Sequence, residues 1–498
     1  MKLTNQLYYV LAATIAVVAT LLLFASLNHG VGISPDSVAY IKAASDFRNG
    51  GGIESLPNHW PPFYPIVLSA VGLLGDDDLA AIRLFHSALY GLNIVLIPYL
   101  GIPKSNKQNV IRLTFSLFLL ASPQFFAVHI MAWSEPLFLT LCFSALVLLF
   151  RDQSHKVIYI SAALIGMATL TRYVGVYFIA MGTVGVLYTS NAKVVKRIKT
   201  AFIYGLIAIT PSLLFGIANI ASKGSSTNRT FNVHIATSEH FESLKQLILG
   251  WFTPQNNETI GMLLFSSMVL LIVISYLIFC KKKSTKLNKS SQLSIYLLLT
   301  ALGYIVFIFT SISFLDAYTP ISERVFIPCY VFLWASIFCL ASNDTKCPAI
   351  PILLLIIAII TSNFQNTSEL ISRSIRNGIG FLARGNSELA ILDHVEKHSG
   401  NIKIYSNAPD FLYITRAIDA TALPKKYSPS SLIEYKEYPK ELALIKNQLY
   451  SGDAIVVYFA AFTWRKYYLE PKNIFNIFEL QPSYLGPDGV IFSNSKNN

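Results

Sequence analysis

The feature that most constrains this chain is the recurrence of apolar stretches long enough to cross about 30 Å of hydrocarbon. Eleven can be placed, at roughly 7–27, 79–100, 111–128, 133–150, 157–171, 174–190, 200–220, 260–280, 292–312, 325–342 and 349–363. A bilayer core offers the backbone no hydrogen-bond partners, so each stretch must satisfy its own amides as a helix. With 53% hydrophobic and 13% charged residues over 498 positions, and a mean hydropathy of +0.50, the chain reads as an α-helical polytopic membrane protein. A soluble enzyme with a large core is excluded.

The net charge of +12 would suggest nucleic acid in a soluble chain. Here its distribution points to topology instead, and no nucleic-acid partner is expected. With the N-terminus inside, the inner loops receive Lys2; Lys104, Lys107 and Arg112; Arg151 and Lys156; Lys193, Lys196, Arg197 and Lys199; Lys281, Lys282, Lys283, Lys286 and Lys289; and Lys346. The longer outer loops hold only Lys42, Arg48, Arg172, Lys223, Arg229, Lys245 and Arg324. The positive-inside rule therefore puts the N-terminus in the cytoplasm, and an odd number of spans puts the C-terminus outside. No small-residue cleavage site follows the first span, which reads as an uncleaved signal anchor. The cysteines, at 142, 280, 329, 339 and 347, fall in spans or at inner ends. Neither a disulfide framework nor a cysteine zinc site is expected.

Residues 1–363 are expected to form the transmembrane domain, with a first outer loop at 28–78. That loop has a helical pattern from Ser37 to Phe47, a Gly50-Gly51-Gly52 break, a proline-rich turn, and a run from Ile66 to Leu74. The run is too short to span and suits a helix lying in the interface. Residues 364–498 have ordinary soluble composition. Strands are predicted at 401–406, 453–459 and 489–493, with helices near 409–415 and 431–450, giving a small α/β extracytoplasmic domain.

The chemistry-bearing residues gather on the outer side. In SPDSVAY, Ser34 or Asp36 can cap the helix that starts there, or Asp36 can serve as a general base or metal ligand at the membrane surface. His59 precedes an aromatic and proline cluster with Trp60, Phe63 and Tyr64, which suits either interfacial anchoring or stacking on a sugar ring. In HIMAWSEPLF, Glu135 stands at the start of a span, where a charge is costly without a partner or a task. Capping by Ser134, with Glu135 in the first turn, is the cheaper alternative. His129 and Glu135 could share a divalent metal or a phosphate-proximal site with Asp36. Arg172 has almost no loop around it, and must snorkel or meet an anion, for which a guanidinium fork fits phosphate. Glu323 and Arg324 raise the same question, unless the adjacent charges neutralise one another.

The order PDSVAY, HWPPFYP, SEPLF, TRYVG and ERVFIP, followed by a tail opening with IYSNAPDFLY, resembles the GT-C glycosyltransferases. It is similar in particular to the bacterial relatives of family 39 protein mannosyltransferases and lipid A aminoarabinose transferases. The resemblance runs over nearly the whole chain and implies an inverting sugar transfer from a polyprenyl-phosphate donor on the outer membrane face. It makes Asp36 the essential first-loop acid, Glu135 part of a second acidic motif, and Arg172 and Arg324 the basic positions near the donor phosphate. Tyr40, His59, Trp60 and Glu323 would line the substrate site. Ser37 stands where protein mannosyltransferases carry Glu, which argues against protein O-mannosylation. Val325 stands where a tyrosine is commoner. The acceptor is left open among glycan, lipid and protein.

No GxxxxGK[ST] loop occurs, so no nucleotide cofactor is expected. The expected location is a bacterial inner membrane, with membrane lipid as neighbour. The competing reading is a transporter or flippase for lipid or sugar, which would favour mid-membrane charges and repeated halves. A structural membrane component with an outer binding domain would leave Asp36 and Glu135 as caps.

Overall fold

The computed structural model describes residues 5–57, 59–75, 77–100, 106–189, 192–253, 258–281, 289–342, 349–398, 402–428, 430–462, 465, 467–469 and 471–494. Lys2, Lys104, Lys282, Lys283, Lys286, Lys346, Cys347 and Asn401 lie outside them.

Each of the eleven expected spans coincides with a helix. They are α1 (Asn5–Ser26), α4 (Asp78–Leu96), α5 (Asn106–Leu120) with α6 (Pro123–His129), α7 (Glu135–Arg151), α8 (His155–Thr171), α9 (Gly175–Thr189), α10 (Val194–Lys223), α12 (Glu258–Lys281), α13 (Lys289–Phe314), α14 (Glu323–Ala341) and α15 (Ala349–Asn377). Among the described residues, seven helices are long and apolar enough to cross a membrane, or eight with the bent pair α5–α6. The other three are somewhat shorter. Between the spans lie α2 (Pro35–Asp46), α3 (Phe63–Val71) and α11 (Ser238–Gly250).

The expected span at 111–128 is not straight. It bends by 65° between α5 and α6, because Pro123 cannot continue a helical ladder. Ser122 starts the second piece by accepting the Phe125 amide at 3.1 Å. The bend turns α6 inward.

At the centre stands α14, buried along nearly its whole length. Phe115 stacks on Phe338 at 4.3 Å, and Phe118 lies 4.4 Å from Trp334, joining α5 to α14. The outer helices instead expose aliphatic faces, such as Val17 and Leu21 on α1 and Leu213, Leu214 and Ile217 on α10. In water such faces would be costly; against lipid they are not. The first loop is helical where expected, although α2 starts at Pro35. A bidentate pair of Arg48 with Asp78, at 2.8 and 2.7 Å, ties it to the start of α4.

The helix expected to end near 363 continues without a break to Asn377. Beyond it come α16 (Arg384–Ser387), α17 (Ala390–His398), β1 (Lys403–Ser406), α18 (Pro409–Arg416), β2 (Thr421–Ala422), α19 (Tyr438–Ser451), β3 (Ala454–Phe459), α20 (Pro471–Phe478), β4 (Pro482–Gly486) and β5 (Gly489–Phe492). The strands form one sheet in the order β2-β1-β3-β5-β4. β1 is parallel to β2 and β3, while β5 is antiparallel to β3 and β4. The fully buried AIVVYF of β3 explains why that strand is legible as a continuous apolar run.

This domain packs on the end of α15 and is tied to loops between the helices. Phe381, just past α15, packs on Phe411 and Phe462 at 5.4 and 5.3 Å. Asn232 donates to the Ser431 carbonyl at 2.7 Å, and the Ala317 amide to that of Ser430 at 3.0 Å.

Candidate active site

Three backbone segments cross at one end of the bundle. The Gly32 amide donates to the Ile130 carbonyl, and the Ala132 amide to that of Gly32, both at 2.8 Å. The Phe381 amide donates to the Ile33 carbonyl at 2.8 Å. Glycine is required at Gly380 and lets the chains approach closely at Gly32. A Cβ on Gly32 would lie 2.4 Å from the Met131 sulfur, and one on Gly380 would lie 2.2 Å from the Ile33 oxygen, with φ at +72°. This crossing brings the start of α2 beside the α6–α7 turn.

Side chains from four helix ends then meet. Glu135 is 1% exposed. Its Oε1 accepts from Arg324 Nε at 2.5 Å and from Arg172 Nη1, while its Oε2 has no hydrogen-bond partner among the described residues. Arg324 Nη1 also donates to Asp36 Oδ2 at 2.6 Å. The result is a chain of alternating charge, Asp36–Arg324–Glu135–Arg172. The Arg324 guanidinium lies over the Trp133 ring at 4.5 Å, and Trp133 Nε1 donates to Ser34 Oγ at 2.8 Å.

Both capping alternatives are decided by this geometry. Ser34 caps α2 in a reciprocal box with Ser37, so the cap does not need Asp36. Ser134 makes no side-chain cap to α7; its hydroxyl accepts from Arg172 at 3.2 Å.

Tyr40 is buried, edge-on to Trp60 at 6.0 Å and to Tyr64 at 5.1 Å. Burial, reinforced by the Asp36 carboxylate, pushes its phenol up from the usual tyrosine range. His59 meets Trp60 edge-on at 4.8 Å. Burial, with Arg229 nearby, pushes its imidazole down. Asp36, His59 and Trp60 share the lining of a cavity of about 820 Å3, which extends to the C-terminal domain.

Two expectations need correction. His129 does not join Asp36 and Glu135. The inward turn of α6 buries it, where Nδ1 donates to the Phe125 carbonyl at 2.7 Å and Nε2 accepts from Asn93 at 3.1 Å. Among the described residues no three His, Cys, Asp or Glu side chains are grouped to hold a metal. The trio expected to do so does not fit one, since a guanidinium already bridges its two carboxylates. Nor does Glu323, expected at the substrate site, line the cavity with Asp36, or pair with its neighbour Arg324 among the described contacts. Successive helical residues point about 100° apart, and Glu323 faces a separate groove with Glu239, Glu242 and Gln246.

His129 instead belongs to a buried network behind the site. Tyr64 donates to His86 Nε2 at 2.8 Å, and His86 Nδ1 donates to the His129 carbonyl at 3.3 Å. Asn93 also donates to the Pro136 carbonyl at 3.0 Å and accepts from Thr140 at 2.8 Å. Asn93 thus anchors the residue next to Glu135. Asn93→Leu leaves these groups unpaired and is expected to lower stability by about 1–3 kcal/mol, read as a lower midpoint in thermal unfolding of the detergent-solubilised chain.

Trp133, Arg229, Asp316 and the C-terminal contributors Asp410, Lys425 and Arg465 were not singled out from the sequence. Trp133 lies inside the HIMAWSEPLF segment and Asp410 inside IYSNAPDFLY. The others carry no local signal.

The architecture matches solved structures. ArnT from Cupriavidus metallidurans, bound to undecaprenyl phosphate, is similar with a TM-score of 0.57 and 14% identity, over 98% of this chain and 98% of that one. The fold is that of ArnT. Its apo structure matches with a TM-score of 0.53 and 13% identity, over 96% of this chain and 97% of that one. The arabinofuranosyltransferase AftD from Mycobacteria also matches, with a TM-score of 0.50 and 12% identity, over 97% of this chain and 39% of that one. No protein-family model and no curated protein sequence matches the chain.

Proposed function

We propose that this protein is an integral membrane glycosyltransferase that moves a sugar from a polyprenyl-phosphate donor to an acceptor on the outer face of a bacterial inner membrane, with inversion. The observation that carries this reading is the Asp36–Arg324–Glu135–Arg172 charge chain, whose Asp36 end lines a large cavity, in a fold shared with a protein solved with bound undecaprenyl phosphate. Residues 1–363 would supply the lipid-linked donor site and residues 364–498 the cover over the cavity.

In the mechanism, the donor phosphate approaches the two guanidiniums at headgroup depth. Arg324 has five N–H donors, so it can turn toward phosphate and release its hold on Asp36. Asp36 then takes the proton of the acceptor group as that group attacks the anomeric carbon. The bond from that carbon to the phosphate oxygen breaks on the opposite face, and its electron pair leaves with the polyprenyl phosphate. Arg172 and Arg324 stabilise the charge on the leaving group. Glu135 keeps both arginines aimed while the site is empty.

The test uses membranes containing the full chain and undecaprenyl-phosphate-linked radiolabelled sugars. Label should pass to an acceptor only when the chain is present. Binding of the donor without any transfer would instead favour a flippase. Arg324→Ala should weaken undecaprenyl phosphate binding roughly 10- to 100-fold, the worth of one or two charge-assisted hydrogen bonds. Unchanged binding in both Arg324→Ala and Arg172→Ala would remove the arginines from the donor site.

A further inference from the structure

The far wall of the cavity beside Asp36 comes from the C-terminal domain and is aromatic and charged. Tyr467 and Tyr468 stand together with ring centroids 4.7 Å apart, and the Lys425 ammonium lies over both, at 4.6 and 5.4 Å. On the near side, Lys42 of α2 reaches across to the Tyr413 ring of α18 at 5.1 Å. Asp410 is fixed by a bidentate pair with Arg465, at 2.8 and 2.6 Å, and Arg465 is itself 4% exposed and donates to the Asn407 carbonyl at 2.8 Å. The wall is therefore pre-formed.

Its chemistry discriminates among acceptors. A lipid chain needs aliphatic lining, and among the described residues the cavity offers only Val38, Ala39, Ala420, Ile433 and two prolines, Pro35 and Pro409, in that class. A sugar ring presents a C–H face that packs on aromatic rings, and hydroxyls that bond to carboxylates and ammonium groups. We propose that this wall is the acceptor subsite, and that the acceptor is a hydrophilic saccharide lying on Tyr467 and Tyr468, with one hydroxyl extended to Asp36. The inference rests on the glycosyltransferase reading above. The hydroxyl gives its proton to Asp36 and its oxygen to the new glycosidic bond, and the polyprenyl phosphate departs. Burial, with Arg465 nearby, pushes the Lys425 amine down, so a polar ligand that replaces its lost water is welcome there.

The experiment titrates the full chain in detergent micelles with maltotriose, cellotriose and chitotriose. A serine-rich decapeptide and phosphatidylglycerol vesicles serve as counter-probes. At least one trisaccharide should bind. Tyr467→Ala and Lys425→Ala should each weaken that binding roughly tenfold, Tyr467→Phe should retain it, and undecaprenyl phosphate should bind to all variants as to the parent. That last measurement also reports that the variants fold. Binding of no trisaccharide, saccharide binding that neither variant alters, or binding of the peptide or vesicles in their place would overturn the proposal. A variant that loses undecaprenyl phosphate but keeps the saccharide would assign the wall to the donor and overturn it too. A parent chain that binds saccharide but not undecaprenyl phosphate would sink the donor reading and leave the saccharide site standing.

Discussion

Asp36→Asn is expected to slow sugar transfer by roughly 100- to 10,000-fold, the usual worth of a positioned general base. Asn keeps the size of the side chain and an oxygen that can still accept from Arg324. It cannot take the proton of an attacking hydroxyl. Donor binding should therefore persist while transfer collapses, and this split separates a base from a residue that merely shapes the site. The capping role cannot be the source of such a loss, because Ser34 and Ser37 supply the cap of α2. The measurement is the initial rate of label transfer in membranes, beside equilibrium binding of undecaprenyl phosphate. Transfer within about threefold of the parent would remove Asp36 from the chemistry.

Glu135→Ala should produce the largest loss of stability. The carboxylate is nearly fully buried and binds Arg172 and Arg324 through a single oxygen. Removing it leaves two guanidiniums side by side with no anion between them. Breaking a buried pair from one side costs about 3–5 kcal/mol, read as a large fall in the unfolding midpoint of the solubilised chain. Glu135→Gln, which keeps an acceptor, should lose less. Undecaprenyl phosphate should partly rescue Glu135→Ala, since its phosphate supplies the missing anion and ligand binding stabilises the folded state. An unshifted midpoint in Glu135→Ala would show that the carboxylate does not hold the two arginines.

Much of the membrane domain is legible along the chain because its cause is local. An apolar stretch of sufficient length has one structural option in lipid, and every expected span is a helix. The strand at 454–459 is readable for a related reason, as a buried central strand is apolar at every position. His129 misleads because Glu135 stands only six positions on in the same segment, while in space it bonds to Phe125 of its own helix and to Asn93 of α4. The split between Glu323 and Arg324 is a matter of helical phase, which adjacency hides.

The first-loop carboxylate shows where the boundary lies. From sequence alone, Asp36 is an acid after a proline at a helix start, with capping and catalysis both open. The cap proves to be local, in Ser34 and Ser37, while the ion pair of Asp36 spans 288 positions, to Arg324. The Tyr467 and Lys425 wall of the same cavity comes from a domain whose sequence carries no sign of facing it. Hydropathy and charge act over a few turns of chain, so the spans and the order of the motifs are properties of the sequence by itself. Which charges share a partner depends on where helix ends stop relative to one another. Only the packed tertiary structure, through crossings as close as those at Gly32 and Gly380, decides that.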